Sequence, residues 1–471
     1  MAGNPQSGGA RSHEFSASRA IPLTIGASFF MEGLDSTIIA TSLPQIAAAL
    51  HVSAAQIGIS LTAYLVSVSM WMAASGWLAD RFDSRRIFIA SVGMFTLGSV
   101  ACGFSQNLFQ LVIGRFLQGM GGAMLSPVGR LMLARSFPRH ELVRAMSYMI
   151  IPGLLGPTLG PVVGGWITTH FDWRWIFFVN VPLGILAMGL ASRFLKSAPT
   201  NGTQKFDVTG FLLVGFSLVA LQFGLESLAS HAAVHSTAVV GFAIGLACAL
   251  AYWRHSRRPN AILDLRLFRF RAFAIATLGG SFSRIVLGAT LFLFPLYSQY
   301  ALGASPAIAG YLMGVLAFGQ IALRLGLDPL LKRLGIRRLL IVNSASMGLL
   351  LAGLLLFQPG VSFWFVGTFL FVFGLIHSIQ LSTLAGLNFS GLPDTALAGA
   401  TSLGTVVQRL ATAFGISLTA ILLGFATGGG QPDRHSFILP VLVLSATMGL
   451  SILSFLALRH GDGADLMRTP R

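Results

Sequence analysis

Apolar residues run along this chain in blocks of about twenty, separated by short polar segments rich in arginine. About twenty apolar residues at 1.5 Å rise span a bilayer core. Fourteen such blocks fall at residues 20–41, 57–78, 87–104, 107–129, 143–167, 174–195, 208–228, 237–254, 272–298, 305–327, 337–357, 361–386, 396–425 and 436–458. Each predicts a membrane-crossing helix, so the expected fold class is an all-α polytopic membrane protein with 14 transmembrane helices. Residues 1–19 and 459–471 lack apolar periodicity and are expected to be disordered tails. No cleavable signal peptide is recognisable before the first block.

Composition agrees with the pattern. Of 471 residues, 54% are hydrophobic and 10% charged, against about 25% charged in soluble domains, and mean hydropathy is +0.76. An ordinary soluble enzyme and a disordered chain are excluded. Cys102 and Cys248 both lie in apolar runs, which leaves no disulfide framework or cysteine metal site.

The net charge of +16 would suggest a nucleic-acid partner until the 31 Lys and Arg residues are sorted by loop. Five (Arg115, Arg130, Arg284, Arg324, Arg409) fall within spans and two (Arg174, Arg434) on one side, leaving 24 on the other. That asymmetry places the basic loops and both termini in the cytoplasm. The arginines then read as anchors facing anionic lipid, and no nucleic-acid partner is expected.

The segment GWLADRFDSRRIF (76–88) recurs loosely as DPLLKRLGIRRLL (328–340), 252 residues later, with arginine pairs Arg85/Arg86 and Arg337/Arg338. An offset of that size exceeds six short-looped spans by two helices. The organisation expected is a six-helix bundle at 20–195, a linker with two additional helices at 196–271, and a second six-helix bundle at 272–458.

Four stretches make the resemblance specific: LDSTIIATSLP (34–44), GWLADRFDSRRIF (76–88), GRFLQGMGGA (114–123) with GLLGPTLGPVVGG (153–165), and WRWIFFVNVPLG (173–184). The chain resembles a major facilitator superfamily transporter, and within it the fourteen-helix drug/proton antiporter family of multidrug efflux type. The resemblance implies the major facilitator fold as 6+2+6 helices. It also implies an inner-membrane location, no cofactor, and export driven by the proton gradient.

Individual residues carry the chemistry. Glu32 and Asp35 lie three apart on one face of helix 1, and an ionised carboxylate at that depth costs around 2.5–3.5 kcal/mol. Water, a partner or protonation must offset this cost, which makes Asp35 the candidate proton carrier. Glu32 either shares its proton or contacts substrate; a permanently hydrogen-bonded structural acid is the plainer alternative for Asp35. Arg115 on helix 4 stays protonated and can tune the acids but not carry the proton; Gln118 lies on its face. In the helix 2–3 loop, Gly76, Asp80, Arg81, Arg85 and Arg86 form the motif that the resemblance assigns to a gate holding the halves together. Asp83 stands there where the family has a turn glycine, whereas the second copy keeps Gly335. A positive-inside anchor is compatible with that gate.

Gly153, Gly156, Pro157, Gly160, Pro161, Gly164 and Gly165 on helix 5 give a smooth face beside an interrupted hydrogen-bond ladder. The resemblance makes this the antiporter signature. Arg284, His377 and Gln380 are embedded polar groups assigned to the substrate cavity, with a hydrogen-bonded packing role as the alternative for His377. Glu226 is expected at the outer interface. His231 and His235 lack a third ligand, so no metal is expected, and no nucleotide loop or hydrolase motif is present.

The function expected is proton-coupled export of amphipathic, lipophilic or cationic small molecules by alternating access, working as a monomer and without enzymatic chemistry. The partners are substrates, protons and the bilayer. An envelope-spanning adaptor is a further candidate, although loop 426–435 encodes no sizeable docking domain. The alternative on the same fold is a symporter or facilitator of one metabolite.

Overall fold

The structure, a computed structural model, describes residues 7–137, 139–195, 206–229, 235–258, 261–322, 334–393, 396–428, 430–459 and 462. Helix falls on each predicted span, at differing lengths. In the first half these are α1 (Ser7–Ile38), α2 (Gly58–Arg81), α3 (Ser84–Gly103), α4 (Leu108–Ser136), α5 (Arg139–His170) and α6 (Asn180–Phe194). The inserted pair is α7 (Val208–Ala229) and α8 (His235–His255). The second half contains α9 (Gly280–Leu296), α10 (Pro306–Ala322), α11 (Ile336–Gly353), α12 (Phe363–Leu387), α13 (Leu397–Thr427) and α14 (Ile438–Leu456). Eleven helical stretches among the described residues are long and apolar enough to cross a membrane, and α10 is a shorter apolar one. α1 and α5 have 32 residues each, about 48 Å of helix.

Three departures from the pattern have local causes. The segment expected to be an N-terminal tail is helical from Ser7. No proline interrupts residues 7–21, so the first apolar helix runs on into its polar flank. The sixth span is split into Trp175–Phe178 and α6, because Pro182 has no N–H to offer the carbonyl of Phe178. α9 is flanked by single π-helical turns at Ile275–Gly279 and Tyr297–Ala301.

The packing shows the repeat more clearly than the sequence. α1 packs on α5 and α6, α2 on α4, and α3 on α4 and α6. Adding eight to each number gives the second half: α9 on α13 and α14, α10 on α12, and α11 on α12 and α14. Between the halves α2 meets α13 and α10 meets α5, which is one relation with the halves exchanged. α7 pairs with α8 and lies against both α2 and α13.

Arginines fasten equivalent helix ends in both halves. Arg85 at the start of α3 donates to the carbonyl of Ser192 at the end of α6, and Arg337 at the start of α11 donates to Leu456 at the end of α14, at 3.0 Å. Towards the other surface Arg174 donates to Ser105 at 3.2 Å and Arg434 to Leu355 at 3.1 Å. Each guanidinium supplies a donor and a positive charge where a helix presents free carbonyls.

The α5–α10 seam is closed only towards the surface that carries the α1–α2 loop. There a Cβ on Gly165 would strike Pro306, one on Gly310 would strike Pro161, and Ala307 N–H donates to Thr169 at 3.1 Å. Gln45 also donates to Gln299 at 3.0 Å, and Gln299 to the carbonyl of Thr41 at 2.9 Å. Further along the same faces, Leu155 and Ile151 of α5 and Phe318 of α10 are 46%, 57% and 59% exposed. The two halves therefore splay apart along this seam towards the end that carries both termini.

Candidate functional site

Asp35 enters the N-terminal bundle from α1 and meets side chains from two other helices. Its Oδ2 lies 2.7 Å from Arg115 Nη1 of α4, and its Oδ1 accepts from Gln118 Nε2 at 2.6 Å and Asn180 Nδ2 of α6 at 2.7 Å. Gln118 and Asn180 also donate to Ser99 Oγ of α3, at 2.6 and 3.0 Å. Arg115 continues to Gln118 Oε1 at 2.7 Å and to the carbonyl of Ser60 on α2 at 3.3 Å, with its guanidinium 4.4 Å from the Tyr64 ring centre. Asp35, Ser99, Arg115, Gln118 and Asn180 are each 0% exposed. The acid is thus held in a sealed ion pair that draws on five helices.

Close packing makes this possible. A Cβ on Gly98 would lie 2.6 Å from the backbone nitrogen of Gln118, so α3 and α4 approach only because that position is glycine. Asn180 and Ser99 were not anticipated. Asn180 stands inside the WRWIFFVNVPLG stretch, and an amide in a long apolar run was the available signal.

α1 is seated on α5 by a reciprocal fit. Cβ atoms on Gly156, Gly160 and Gly164 would strike the carbonyls of Phe30, Leu34 and Ile38, while Gly33 of α1 receives the Pro157 ring. Pro161 has no N–H for the carbonyl of residue 157, and Thr37 Oγ1 donates to that carbonyl at 3.2 Å. One turn on, Thr41 Oγ1 donates to the carbonyl of Pro161 at 3.3 Å. Gly153 faces Phe29, whereas Gly165 faces α10. The motif therefore grips the acid-bearing helix on one face and the opposite half on another.

A model of the Major Facilitator Superfamily matches residues 25–416. The chain belongs to this superfamily. It is 36% identical over 433 residues to a relative from Pectobacterium carotovorum subsp. carotovorum (strain PC1) named as a multidrug resistance protein, MdtD, covering 91% of this chain and 93% of the relative. It is 35% identical to the protein of the same name from Salmonella heidelberg (strain SL476), covering 85% of each. Among solved structures it resembles a POT-family peptide transporter in complex with sulfate (TM-score 0.69, 15% identity, 93% of this chain and 94% of that one). It also resembles a D-xylose-proton symporter (TM-score 0.67, 15% identity, 94% and 98%). At these identities the structures establish the fold, not the substrate.

The remaining predicted residues sit elsewhere in this superfamily fold. Glu32 does not join Asp35; its carboxylate faces the other half, 3.8 Å from Arg409 of α13. Arg130 of α4 is also within electrostatic reach of Glu32 and is exposed. In the second half Gln380 is engaged by its own bundle: it donates to Ser283 at 2.8 Å and Ser344 at 3.0 Å, and accepts from Asn343 at 2.8 Å. His377 is buried with Nδ1 2.8 Å from Gln320 Nε2, and its Nε2 has no partner among the described residues. Arg284 is buried and donates to the carbonyl of Ala276 in the π turn at 2.9 Å, and its Nε has no partner among the described residues.

Gly76 and Asp80 of the loop motif lie outside the described side chains. Arg81 is exposed on the surface. Arg85 fastens α3 to α6 within one half, and Arg86 makes a loose 3.9 Å contact with Asp83. The departure at Asp83 has a backbone reason. Asp83 sits at φ −57° and caps α3 through Arg85 N–H at 3.2 Å, whereas Gly335 sits at φ 72°, where only glycine is unstrained. Glu226 lies near the end of α7, and its Oε2 is buried without a hydrogen-bond partner among the described residues.

Proposed function

We propose that the chain is a multidrug efflux transporter of the bacterial inner membrane that exchanges protons for amphipathic small molecules by alternating access. Both termini lie in the cytoplasm, so the wedge between the halves is the inward-facing state. The observation that carries this reading is the sealed Asp35–Arg115 pair on a helix whose α5 partner also forms the contact between the halves. A proton on Asp35 removes the charge that holds Arg115. The cluster must then repack, and the Gly/Pro seam passes that change on to α5 and so to the α5–α10 contact. The family and the MdtD relatives support the efflux direction.

The test uses proteoliposomes with an imposed pH gradient and two probes of opposite charge, cationic ethidium and anionic 8-anilinonaphthalene-1-sulfonate. Whichever probe is carried should move against its own gradient only while protons move the opposite way, and Asp35→Asn should abolish that exchange. Co-directional movement of proton and probe would make the protein a symporter, and transport indifferent to pH would make it a facilitator.

A further inference from the structure

The charges lining the wedge have an imbalance that bears on the class of substrate. Three acids fall within spans, Glu32, Asp35 and Glu226, against five arginines, of which Arg324 lies outside the described residues. Asp35 and Arg115 cancel in their sealed pair. Glu226 sits on α7, outside both six-helix bundles. Glu32 is therefore the one acid left among the described spans to balance Arg130, Arg284 and Arg409. It meets Arg409 at 3.8 Å across the gap between the halves. The Arg409 side chain remains 32% exposed in that pair, so the space between the halves is open there. Arg130 on α4 is exposed and lies within electrostatic reach of the same carboxylate, beyond ion-pair distance.

We infer that the wedge selects amphiphiles bearing a negative charge, with Arg130 and Arg409 as the groups that receive it. This refines the proposed function by naming its substrate class, and it replaces the expectation of cationic cargo. A cation entering the wedge would have to displace Arg409 from Glu32 and then face Arg130 with no acid left over. An anion meets one exposed guanidinium that has no ion pair among the described residues and a second held at ion-pair distance by a single carboxylate. Arginine suits this task because its charge persists at every physiological pH and its planar fork matches carboxylate and sulfonate oxygens. The apolar walls of the bundle take the rest of the molecule.

Tetraphenylborate and tetraphenylphosphonium have nearly the same shape and opposite charge, so their affinity ratio isolates the sign of the site. Binding of each to the purified full chain, read by quenching of tryptophan fluorescence, should favour the borate by about tenfold, or about 1.4 kcal/mol. Arg130→Gln should bring the ratio near unity, Arg130→Lys should retain most of it, and Glu32→Gln should widen it. Non-specific partition into detergent is the same for every variant and drops out of the comparison. A wild-type preference for the phosphonium, or a ratio unmoved by both Arg130→Gln and Glu32→Gln, would overturn the inference. The measurement needs no proton gradient. A chain that binds the borate selectively but shows no proton exchange would therefore refute the antiport reading and leave this one standing.

Discussion

Removing the charge of Asp35 should destabilise the protein mainly through what it does to Arg115. The pair is 2.7 Å apart and both side chains are 0% exposed. At an effective dielectric constant near 20, the attraction over that distance is about 6 kcal/mol, much of it offset by desolvation of both ions. Asp35→Asn keeps the shape but adds an amide N–H. Turned one way it points at Arg115; turned the other it points at the donors of Gln118 and Asn180. Either way a donor faces a donor and Arg115 keeps an unpaired buried charge, a loss of about 3–5 kcal/mol. Arg115→Met should cost a comparable amount by stranding the carboxylate. The double variant strands neither charge, so it should lie well short of the sum of the singles, with a coupling energy of at least about 3 kcal/mol. Denaturant unfolding of the four proteins in mixed micelles measures this cycle. Additivity within about 0.5 kcal/mol would show that the two groups do not act as one pair and would remove the basis for a proton-triggered release of Arg115.

Other consequences are equally direct. Thr37→Val should cost about 1 kcal/mol by stranding the carbonyl of Pro157, and the loss should largely vanish in a Pro161→Ala background, where α5 supplies its own N–H; thermal melting of the pair of variants checks this. Gly98→Ala should lower stability by roughly 1–3 kcal/mol through overpacking against Gln118 and reduce proton exchange with it, as melting and vesicle assays would show. Asp83→Gly should be nearly neutral, since Gly retains most of a cap's value, whereas Gly335→Ala should lower the melting temperature because φ 72° strains any side chain. In the α13–α14 loop, hydrogen bonds from Ser436 hold the Asp433 carboxyl below its ordinary range. Its contribution is therefore present above the usual carboxylate pKa and fades as pH falls through the lowered value. Ser436→Ala should remove that acid-limb dependence in a pH series of melting curves.

The helices were legible because a bilayer leaves few alternatives: blocks of about twenty apolar residues can satisfy their backbone only as helices. Asp35, Arg115 and Gln118 were legible for a related reason, since charge at membrane depth must have a partner. Asn180 and Ser99 were not, because short neutral polar groups are common in membrane helices and only the fold reveals which of them converge. Glu32 and Asp35 seemed a pair from their spacing, yet three residues on a helix subtend about 300° of rotation, or 60° between directions. That difference is enough to send one carboxylate into its bundle and the other across the gap. Gln380 was read as cavity-facing from depth alone, whereas its donors and acceptors are taken up by Ser283, Ser344 and Asn343.

The two inserted helices explain why the seams between the halves are not equivalent. α7 touches α2 through Trp71 and Phe211, whose rings are 5.1 Å apart, and through Gly215, which lies against Met70. It touches α13 through Gln222, which donates to Ser417 at 2.5 Å. One helix is therefore fixed to both halves along the α2–α13 seam. The α5–α10 seam has no such brace among the described residues, and that is the seam that splays. Any rocking that parts α2 from α13 must either break the Gln222–Ser417 bond or peel the Trp71–Phe211 contact, whereas rocking at α5–α10 must release the Ala307–Thr169 and Gln45–Gln299 hydrogen bonds at one end while the Gly165–Pro306 and Gly310–Pro161 contacts slide. The proline- and glycine-rich helix that grips Asp35's helix is thus also the helix on the seam that the inserted pair does not brace, and a change at the acid is delivered there.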